Sequence, residues 1–482
     1  MELTTKICDR ARLSRDPRFD GRFFTAVTST GIYCRPICPA PAPKHTNVRY
    51  YPTAAAAAEA GFRPCLRCRP EAAPGTPAWL GTSATVNRGL RLIADGALDD
   101  GDVETLAARL GVGPRHLHRL FVRHLGAPPI ALAQTRRLHF AKKLLDETDL
   151  PITQVALAAG FGSVRRFNDS IRRAYQRTPS QLRRLRKAAA AGQAGRYTFQ
   201  LAYRPPYDWE SLLGFLAVRA IPGVEAVAGG CYRRSIDIGG RHGIIEISHA
   251  PAAHALRLHV RFPEPAALLR IVARVRRMFD LEADPAAIAR HFCADALLAT
   301  PVQRRPGLRI PGAWDGFELA VRAILGQQVT VAAASRRAGL LAQQYGEPLT
   351  VADDTLLRIF PTAAALAAAQ LSGMPATRAR AIQALAQAVA GGEVHLEPDA
   401  DPQRLLLQLT AIPGIGDWTA QYIAMRALGE PDALPAADLI LLRAAGNGQP
   451  LKPKQLLAQA EAWRPWRAYA AMHLWRLSSS TT

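Results

Sequence analysis

The feature that most constrains the fold is a set of four cysteines arranged in two close pairs near the start of the chain. Cys34 and Cys38 are separated by three residues, Cys65 and Cys68 by two, and 26 residues lie between the pairs. Two such thiol pairs can surround one tetrahedral Zn²⁺ ion. The spacing therefore predicts a small domain built around a four-cysteine zinc site, with a purely structural zinc ion as one reading.

The sequence around the cysteines carries a more specific signal. Residues 31–38 (GIYCRPIC) and 61–70 (GFRPCLRCRP) resemble the N-terminal domain of the Ada family of DNA-repair regulators, over most of residues 1–75. That resemblance implies that Cys34 is a nucleophile as well as a zinc ligand and accepts a methyl group from a methylated DNA phosphate. A zinc-held thiolate is the nucleophilic form of cysteine. The proline-rich stretch 39–43 departs from the family, where we expect a more basic loop.

The charge of the chain limits its partners. Its 61 basic and 39 acidic residues give a net charge of +22, which favours polyanions such as nucleic acid. We expect no signal peptide, because residues 1–22 are charged throughout and lack an apolar core, and no apolar run reaches the roughly 18–20 residues of a membrane span. We therefore expect a cytoplasmic, nucleoid-associated bacterial protein with no membrane partner. Because thiols stay reduced in the cytoplasm, the seven cysteines indicate metal binding or a chemical role rather than disulfide bonds.

A repeated helical pattern lies in the most basic part of the chain. Residues 103–111 predict a short helix that ends at a glycine, and residues 114–124 predict a second, basic helix. The same pattern recurs at 152–160 and 164–173, and Thr178 is expected to close the second unit. Two helix-turn-helix units of this kind resemble the AraC/XylS transcription factors, with residues 135–145 matching their connecting helix. Each second helix is expected to lie in the DNA major groove.

The second helices supply the candidate DNA contacts. The basic and polar side chains of the first unit are Arg115, His116, His118 and Arg119, and those of the second are Arg165, Arg166, Asn168 and Asp169. For each of them the alternative is a solvated surface or a phosphate contact. Base-specific contacts cannot be assigned from a sequence alone.

A β-rich region follows a linker predicted at residues 187–195. Alternating apolar residues predict strands at 197–204, 232–238, 244–248 and 256–260, and a helix begins at Trp209. This region predicts a small α+β domain with no acid–base constellation. Cys231 and Cys293 are isolated, and we expect them to be buried thiols.

The last part of the chain holds a short hairpin followed by an isolated acid. In residues 413–416 (PGIG), Gly414 and Gly416 allow a tight turn whose backbone N–H groups can bind a DNA phosphate. A helix is predicted to begin at Asp417. Asp438 follows Trp418 by 20 residues, at the predicted start of another helix. Two alternatives are a plain helix linker for the hairpin and a helix-capping role for Asp438, which is compatible with catalysis.

This region resembles the helix-hairpin-helix glycosylases, in particular 3-methyladenine DNA glycosylase II, from about Tyr197 to the end of the chain. The matching segments are residues 321–327, 373–375, 414–420, 463–469 and 473–475. By this resemblance Asp438 is the catalytic carboxylate, and Trp418, Tyr422 and Trp475 line the pocket for an everted base. Ordinary core packing is the alternative for Trp418 and Trp475. Gln328 occupies the position that fills the gap left by the base.

Several departures from that superfamily narrow the expected chemistry. Trp418 stands where bifunctional members have a Schiff-base lysine, so we expect a glycosylase without lyase activity. No cysteine follows Cys293, so no iron–sulfur cluster is expected. Gln328 replaces an apolar wedge, and Ala437 replaces a second acid beside the catalytic one.

Together these patterns predict a multidomain α+β protein with four parts: a small zinc domain (1–75), an all-α tandem helix-turn-helix domain (82–187), a small α+β sheet domain (196–280) and an all-α helix-hairpin-helix domain (281–482). The family resemblances imply that the protein accepts methyl groups at Cys34, regulates alkylation-response promoters and excises alkylated bases such as 3-methyladenine. Its expected partners are alkylated and promoter DNA, with RNA polymerase as a further candidate. The alternative is a transcription factor with a structural zinc ion and a non-catalytic glycosylase fold.

Overall fold

A computed structural model describes residues 3–75, 84–99, 101–185, 195–397, 399–446 and 448–478. Most of the linker predicted at 187–195 falls outside these residues, as do residues 76–83. The chain divides into two compact units. The first comprises Met1–Pro205, Ala250–Arg276 and Leu281–Asp284, and the second comprises Pro206–His249, Arg277–Asp280 and Pro285–Thr482. The first unit therefore contains both the predicted zinc domain and the predicted helix-turn-helix domain.

The first unit begins with a four-stranded sheet of strand order β3-β1-β2-β4. Its elements are α1 (Thr5–Leu13), β1 (Phe24–Val27), β2 (Ile32–Cys34), β3 (Val48–Tyr51), α2 (Ala54–Glu59) and β4 (Arg63–Pro64). The Thr53 side chain accepts a hydrogen bond from the backbone N–H of Ala56 and so caps α2. Phe24 and Tyr33 pack with alanines of this helix. The core is small, as expected for a domain that depends on a metal ion.

Helices fill the next part of the first unit, as the repeated pattern predicts. They are α3 (Ala84–Ala94), α4 (Val103–Arg109), α5 (Pro114–Leu125), α6 (Pro129–Glu147), α7 (Ile152–Ala158), α8 (Val164–Tyr175) and α9 (Pro179–Arg184). Gly111 and Gly160 turn the chain after α4 and α7 in the left-handed region, with φ of 70° and 78°. Thr178 begins α9 with a capping box, so the prediction that it closes the unit was wrong.

The sheet packs against the helices within the first unit. Thr53 Oγ1 donates to the carbonyl oxygen of Leu125 at 2.9 Å. Tyr33, on β2, shares a 3.0 Å hydrogen bond with His139 on α6. Alanines of α2 contact Ala127 and Ala131. The connecting helix of the tandem domain therefore also supports the sheet that carries the cysteines.

Strands β5 (Arg196–Ala202) and β9 (Ala255–Arg261) form an antiparallel pair in the first unit, with Phe199 opposite Leu258. Alternate residues of β5 are buried, which is the pattern that the sequence predicts. Phe199 packs against Phe140 of α6, with ring centroids 6.3 Å apart.

The second unit contains the antiparallel strands β6 (Glu225–Ala228) and β7 (Cys231–Ile238), all of β8 (Arg241–Ala250) except its last residue, and the helix α10 (Trp209–Ala217). The sequence analysis missed β6, which is four residues long. It was also wrong about two thiols, because Cys231 is only half-buried and Cys293 is exposed.

The remaining helices are α11 (Leu268–Met278), α12 (Pro285–Phe292), α13 (Ala299–Arg304), α14 (Gly316–Leu325), α15 (Val331–Tyr345), α16 (Ala363–Ala367), α17 (Ala376–Ala390), α18 (Pro402–Thr410), α19 (Asp417–Ala427), α20 (Leu439–Ala445), α21 (Pro453–Gln459) and α22 (Arg467–Ser478). A large apolar core joins α14, α17 and α19 through residues such as Ile324, Ile382 and Ile423. Within the described ranges, no helix is long and apolar enough to span a membrane.

Candidate active site and zinc centre

The predicted hairpin connects α18 to α19 in the second unit. Gly414 has φ of 92°, and a Cβ atom there would lie 2.9 Å from the Cβ of Ala381, so only glycine fits without strain. The Gln327 side chain donates to the Gly414 carbonyl oxygen at 2.9 Å and to Thr419 Oγ1 at 3.1 Å. Gln327 thus ties the turn after α14 to the hairpin, a role that the sequence did not reveal.

The hairpin aims two aromatic rings along one face of α19. Trp418 and Tyr422 are four residues apart and stack with ring centroids 5.4 Å apart at an angle of 8°. Trp475 of α22 meets Tyr422 edge to face at 6.3 Å. The structure therefore brings together the three aromatic residues that the sequence predicts as one pocket.

Asp438 is the residue on which these aromatic side chains converge. Its Oδ1 accepts the backbone N–H groups of Ile440 and Leu441, each at 3.0 Å, and so caps α20. The indole N–H of Trp418 donates to Oδ2 at 3.0 Å, and that of Trp475 donates to Oδ1 at 3.1 Å. An ionised carboxylate accepts all four bonds without donating any. Its position is therefore fixed by three separate helices.

A cavity of about 590 Å³ opens beside this carboxylate and is lined by Trp418, Tyr422, Asp438 and Trp475. A volume of this size is in the range that holds a small organic ligand such as a purine. Asp438 is the one acidic side chain among its described lining residues. The same lining includes arginines that the sequence analysis did not single out, among them Arg219 and Arg426.

The hydroxyl of Tyr422 points to one of those arginines. Arg426 donates to it at 2.6 Å. Burial alone raises the pKa of a tyrosine, but the positive charges of Arg426 and Arg219 outweigh it and lower the pKa of Tyr422.

Gln328 lies in the turn between α14 and α15. It is exposed and has φ of 54°, a left-handed conformation that is uncommon for a residue other than glycine. The next residue, Val329, lines the cavity. The proposed role of Gln328 in filling the gap left by an everted base stays a prediction.

The zinc centre in the first unit is assembled by strand pairing. Strands β2 and β4 run parallel with Tyr33 opposite Pro64, so Cys34 and Cys65, the next residues, lie side by side. The N–H of Cys65 donates to the Tyr33 carbonyl oxygen at 3.0 Å.

The four sulfur atoms of the pairs lie within 4.8 Å of one another. Zinc–sulfur bonds of about 2.3 Å in a tetrahedron place sulfurs roughly 3.8 Å apart, so the cluster fits one Zn²⁺ ion with little adjustment. Cys65 and Cys68 are buried, whereas Cys34 and Cys38 are half-buried. The site is a four-cysteine zinc centre, and Cys34 is on its more accessible side.

Arg35 braces the zinc centre from the inside. Its backbone N–H donates to Cys68 Sγ at 3.3 Å, and its guanidinium donates to the Cys68 carbonyl oxygen at 3.1 Å and to Asp20 at 2.9 Å. Asp20 therefore balances the charge of Arg35. Arg63 and Arg67, by contrast, are exposed beside the cysteines.

The predicted DNA-contacting side chains lie on the outer faces of α5 and α8. Leu117 and Phe121 bury the inner face of α5, and Phe167 and Ile171 do so for α8. The exposed candidates are Arg115, His116, His118, Arg119, Arg165, Arg166 and Asp169, and Asn168 is half-buried. Their contacts with DNA remain a prediction.

Three family models match this chain in sequence order. The metal-binding domain of Ada matches residues 7–71, a helix-turn-helix domain matches 106–185, and the AlkA N-terminal domain matches 198–315. A 3-methyladenine DNA glycosylase structure from Archaeoglobus fulgidus matches the fold with a TM-score of 0.52 and 21% identity, over 57% of this chain and 97% of that one. The fold and sites thus define a fusion of an Ada-type zinc domain and an AraC-type helix-turn-helix domain with an AlkA-type helix-hairpin-helix glycosylase domain.

Comparison with curated relatives identifies the family of this chain more narrowly. It is 44% identical to the probable bifunctional transcriptional activator/DNA repair enzyme AlkA of Mycobacterium tuberculosis, over 97% of this chain and 95% of the relative. It is 38% identical to DNA-3-methyladenine glycosylase 2 of Escherichia coli, over 58% of this chain and 96% of the relative. The chain belongs to the family of fused Ada–AlkA proteins that contains the mycobacterial relative.

Proposed function

We propose that the second unit is a monofunctional DNA glycosylase that hydrolyses the N-glycosidic bond of alkylated bases such as 3-methyladenine. The observation that carries the proposal is the Asp438 carboxylate, held by the indoles of Trp418 and Trp475 at the wall of a cavity large enough to hold a base. The names of the M. tuberculosis and E. coli relatives support the same activity.

The mechanism follows from where charge develops. Departure of the base builds positive charge on the sugar, and a carboxylate that is already oriented stabilises it without rearranging. The faces of Trp418 and Tyr422 can attract a base that N-alkylation has made cationic. Asp438 also accepts a hydrogen bond from the attacking water. Because Trp418 replaces the Schiff-base lysine of bifunctional enzymes, no strand cleavage accompanies base release.

An assay on alkylated DNA tests the role of Asp438. Purified full-length protein should release alkylated bases, and Asp438→Asn should reduce the single-turnover rate at least about a hundredfold. Asparagine still caps α20, but its amide cannot accept both indole N–H groups and carries no negative charge.

The outcomes separate two hypotheses. Equal release by wild type and Asp438→Asn would refute the assigned mechanism. Release by neither would favour the alternative of a transcription factor whose glycosylase fold only binds DNA.

We also propose that Cys34 accepts methyl groups from DNA methylphosphotriesters. The thiolate sulfur attacks the methyl carbon, the carbon–oxygen bond breaks, and a phosphodiester anion leaves with the electron pair. The product is a thioether, so each molecule reacts once. Zinc bound by the four cysteines keeps the sulfur deprotonated. Cys34 is half-buried, unlike Cys65 and Cys68, and it shares this accessibility with Cys38. The resemblance of residues 31–38 to the Ada family is what favours Cys34 over Cys38 as the reacting residue.

Mass spectrometry after incubation with methylphosphotriester DNA tests this assignment. One methyl group should appear on Cys34 and on no other cysteine of the cluster. Methylation of another zinc ligand in a Cys34→Ser protein would refute it, and an unmodified wild-type protein would favour a purely structural zinc ion.

The third part of the proposal is regulation of promoters by the tandem helix-turn-helix domain, with RNA polymerase as a partner. Methylation of Cys34 raises the charge of the zinc centre by one unit, which strengthens binding to phosphates. The exposed basic face of α8, including Arg165 and Arg166, supports a major-groove contact. A footprint on the protein's own promoter that appears only after methylation is the expected result, and a footprint equal in both states would exclude the switch.

A further inference from the structure

Five arginines are among the described residues that line the base cavity, and two of them, Arg219 and Arg426, carry charge that no carboxylate there balances. Salt bridges neutralise a third, Arg322, which lies 3.0 Å from Glu225 and 3.3 Å from Glu318. Among the residues that the structure describes, neither Arg219 nor Arg426 has an acidic side chain within 4.0 Å. A buried cation without a counter-charge costs free energy. Its presence in a ligand cavity therefore suggests that a ligand supplies the missing negative charge.

Arg426 is the fixed member of the pair. It is 4% exposed, and its guanidinium donates to the Pro311 carbonyl oxygen at 2.7 Å, the Gly312 carbonyl oxygen at 3.3 Å and the Tyr422 hydroxyl at 2.6 Å. All of these acceptors are neutral groups. They orient Arg426 but leave its charge in place beside the aromatic wall.

Arg219 is the member that can act on a ligand. Its guanidinium lies 3.7 Å from the ring centroid of Phe215, and NH1 donates to the Phe215 carbonyl oxygen at a long 3.3 Å. The side chain is partly exposed and lines the cavity. Stacking on Phe215 fixes the plane of the guanidinium. The Tyr422 hydroxyl also interacts with it, but a guanidinium has five N–H donors, so several of them remain available to a ligand.

The charge of the leaving base decides whether such an arginine helps. A purine that N-alkylation has made cationic takes the electron pair of the glycosidic bond and leaves as a neutral molecule. An uncharged base that takes the same electron pair leaves as an anion, which needs a positive charge nearby until solvent protonates it. Guanidinium groups repel the first kind of base and stabilise the departure of the second.

We propose that Arg219 is a specificity-determining residue that enables the pocket to release uncharged damaged bases, with Tyr422 and Arg426 holding its surroundings. The proposal rests on the glycosylase function proposed above. In the reaction, water adds to the sugar carbon, the glycosidic bond breaks, and the base anion takes up a proton from solvent. Arg219 keeps its own proton throughout and acts through charge and hydrogen bonding.

The experiment compares two lesions in otherwise identical duplexes, 7-methylguanine as the cationic base and hypoxanthine as the uncharged one. Single-turnover rates are measured with full-length wild type, Arg219→Gln, Arg219→Lys and Arg304→Gln. The last variant removes an exposed arginine of α13 outside the cavity and matches the loss of charge. Arg219→Gln should release hypoxanthine at least about tenfold more slowly, with 7-methylguanine release within threefold of wild type. Arg219→Lys should recover part of the hypoxanthine rate.

The ratio of the two rates is the decisive readout, because a general loss of folding lowers both rates together. Equal slowing on both lesions, or an equal change in Arg304→Gln, would overturn the proposal. So would a wild-type protein that releases 7-methylguanine but no hypoxanthine, and the glycosylase function would then still stand. A wild-type protein that releases neither base would remove the proposed function itself.

Discussion

The zinc centre and the base cavity fix their reactive groups in opposite ways. Cys34 is positioned locally, since one parallel strand pair and a metal ion bring together four sulfurs from residues 34–68. Asp438 is positioned by long-range contacts, because Trp418 and Trp475 reach it from two other helices. A group that reacts once needs only to be kept nucleophilic. A carboxylate that acts in every turnover must return to the same position each time.

The largest effect should follow removal of a buried zinc ligand. Cys68→Ser should lose zinc and unfold the small sheet domain, because structural zinc contributes on the order of 10 kcal/mol to folding. Zinc content and near-ultraviolet circular dichroism measure this loss, with exposed Cys293→Ser as the matched control. The excision rate should stay within twofold of wild type. A large fall in the excision rate would contradict the comparison, because the comparison assumes that the zinc centre and the base cavity are chemically independent.

The next effect concerns the indoles that hold Asp438. Trp475→Phe keeps an aromatic ring but removes one N–H donor, and the single-turnover excision rate should fall about tenfold. Trp418→Phe should behave similarly because it removes the donor to the other oxygen. Trp466→Phe, outside the cavity lining, controls for loss of an indole elsewhere in the second unit. Rates within twofold of wild type for both pocket variants would mean that the capped helix alone positions the carboxylate.

A smaller effect is expected from acid on the second unit. Burial lowers the pKa of His473 to about 4, whereas an exposed histidine titrates near 6.5. Between those values the unfolded chain binds a proton that the folded chain does not. The free energy of unfolding should therefore fall by about 3 kcal/mol as pH drops from 6.5 to 4.

Urea unfolding followed by tryptophan fluorescence measures how the free energy of unfolding changes with pH. The signal reports on the second unit because six of the seven tryptophans lie there. His473→Gln should flatten the curve over that pH range. A slope unchanged by the substitution would assign the acid sensitivity to other groups.

The smallest effect tests how the cysteine sheet is supported. Tyr33→Phe removes the hydroxyl that bonds His139 and should destabilise the first unit by about 1 kcal/mol. Zinc content should not change, because the tyrosine is not a ligand. Urea-induced zinc release measures the shift. Phe62→Leu, at the edge of the same small core, shows how much any loss of aromatic packing contributes. Zinc loss from Tyr33→Phe in native buffer would show that α6 also shapes the metal site.

Predictions from the sequence were most accurate where local patterns determine the structure. The cysteine pairs, the turn at Gly414 and the helix start at Asp438 all follow from short-range chemistry. Thr178 shows the limit of that approach, because a threonine before proline can cap the next helix as readily as it closes the last one. The prediction that Cys231 and Cys293 are buried was wrong, because the sequence around an isolated thiol contains no pattern that indicates its exposure.

The features that the sequence did not indicate depend on long-range contacts. Arg219 and Arg426 are two of many arginines in a basic chain, and only the folded cavity separates them from the rest. Gln327 forms part of a recognisable segment, but its bonds to Gly414 and Thr419 join positions about 90 residues apart. A single sequence gives no sign of such pairings. The short strand β6 is defined by its partner β7 rather than by its own composition.

The double role of Asp438 has a consequence for how this family can diverge. A lineage that abandons base excision no longer needs a carboxylate, but α20 still needs an oxygen to accept the N–H groups of Ile440 and Leu441. Drift at this position should therefore lead to asparagine, serine or threonine, which retain the cap, rather than to alanine. An inactive descendant would fold normally and keep its aromatic pocket. The identity of one capping atom would then distinguish an enzyme from a protein that only binds DNA.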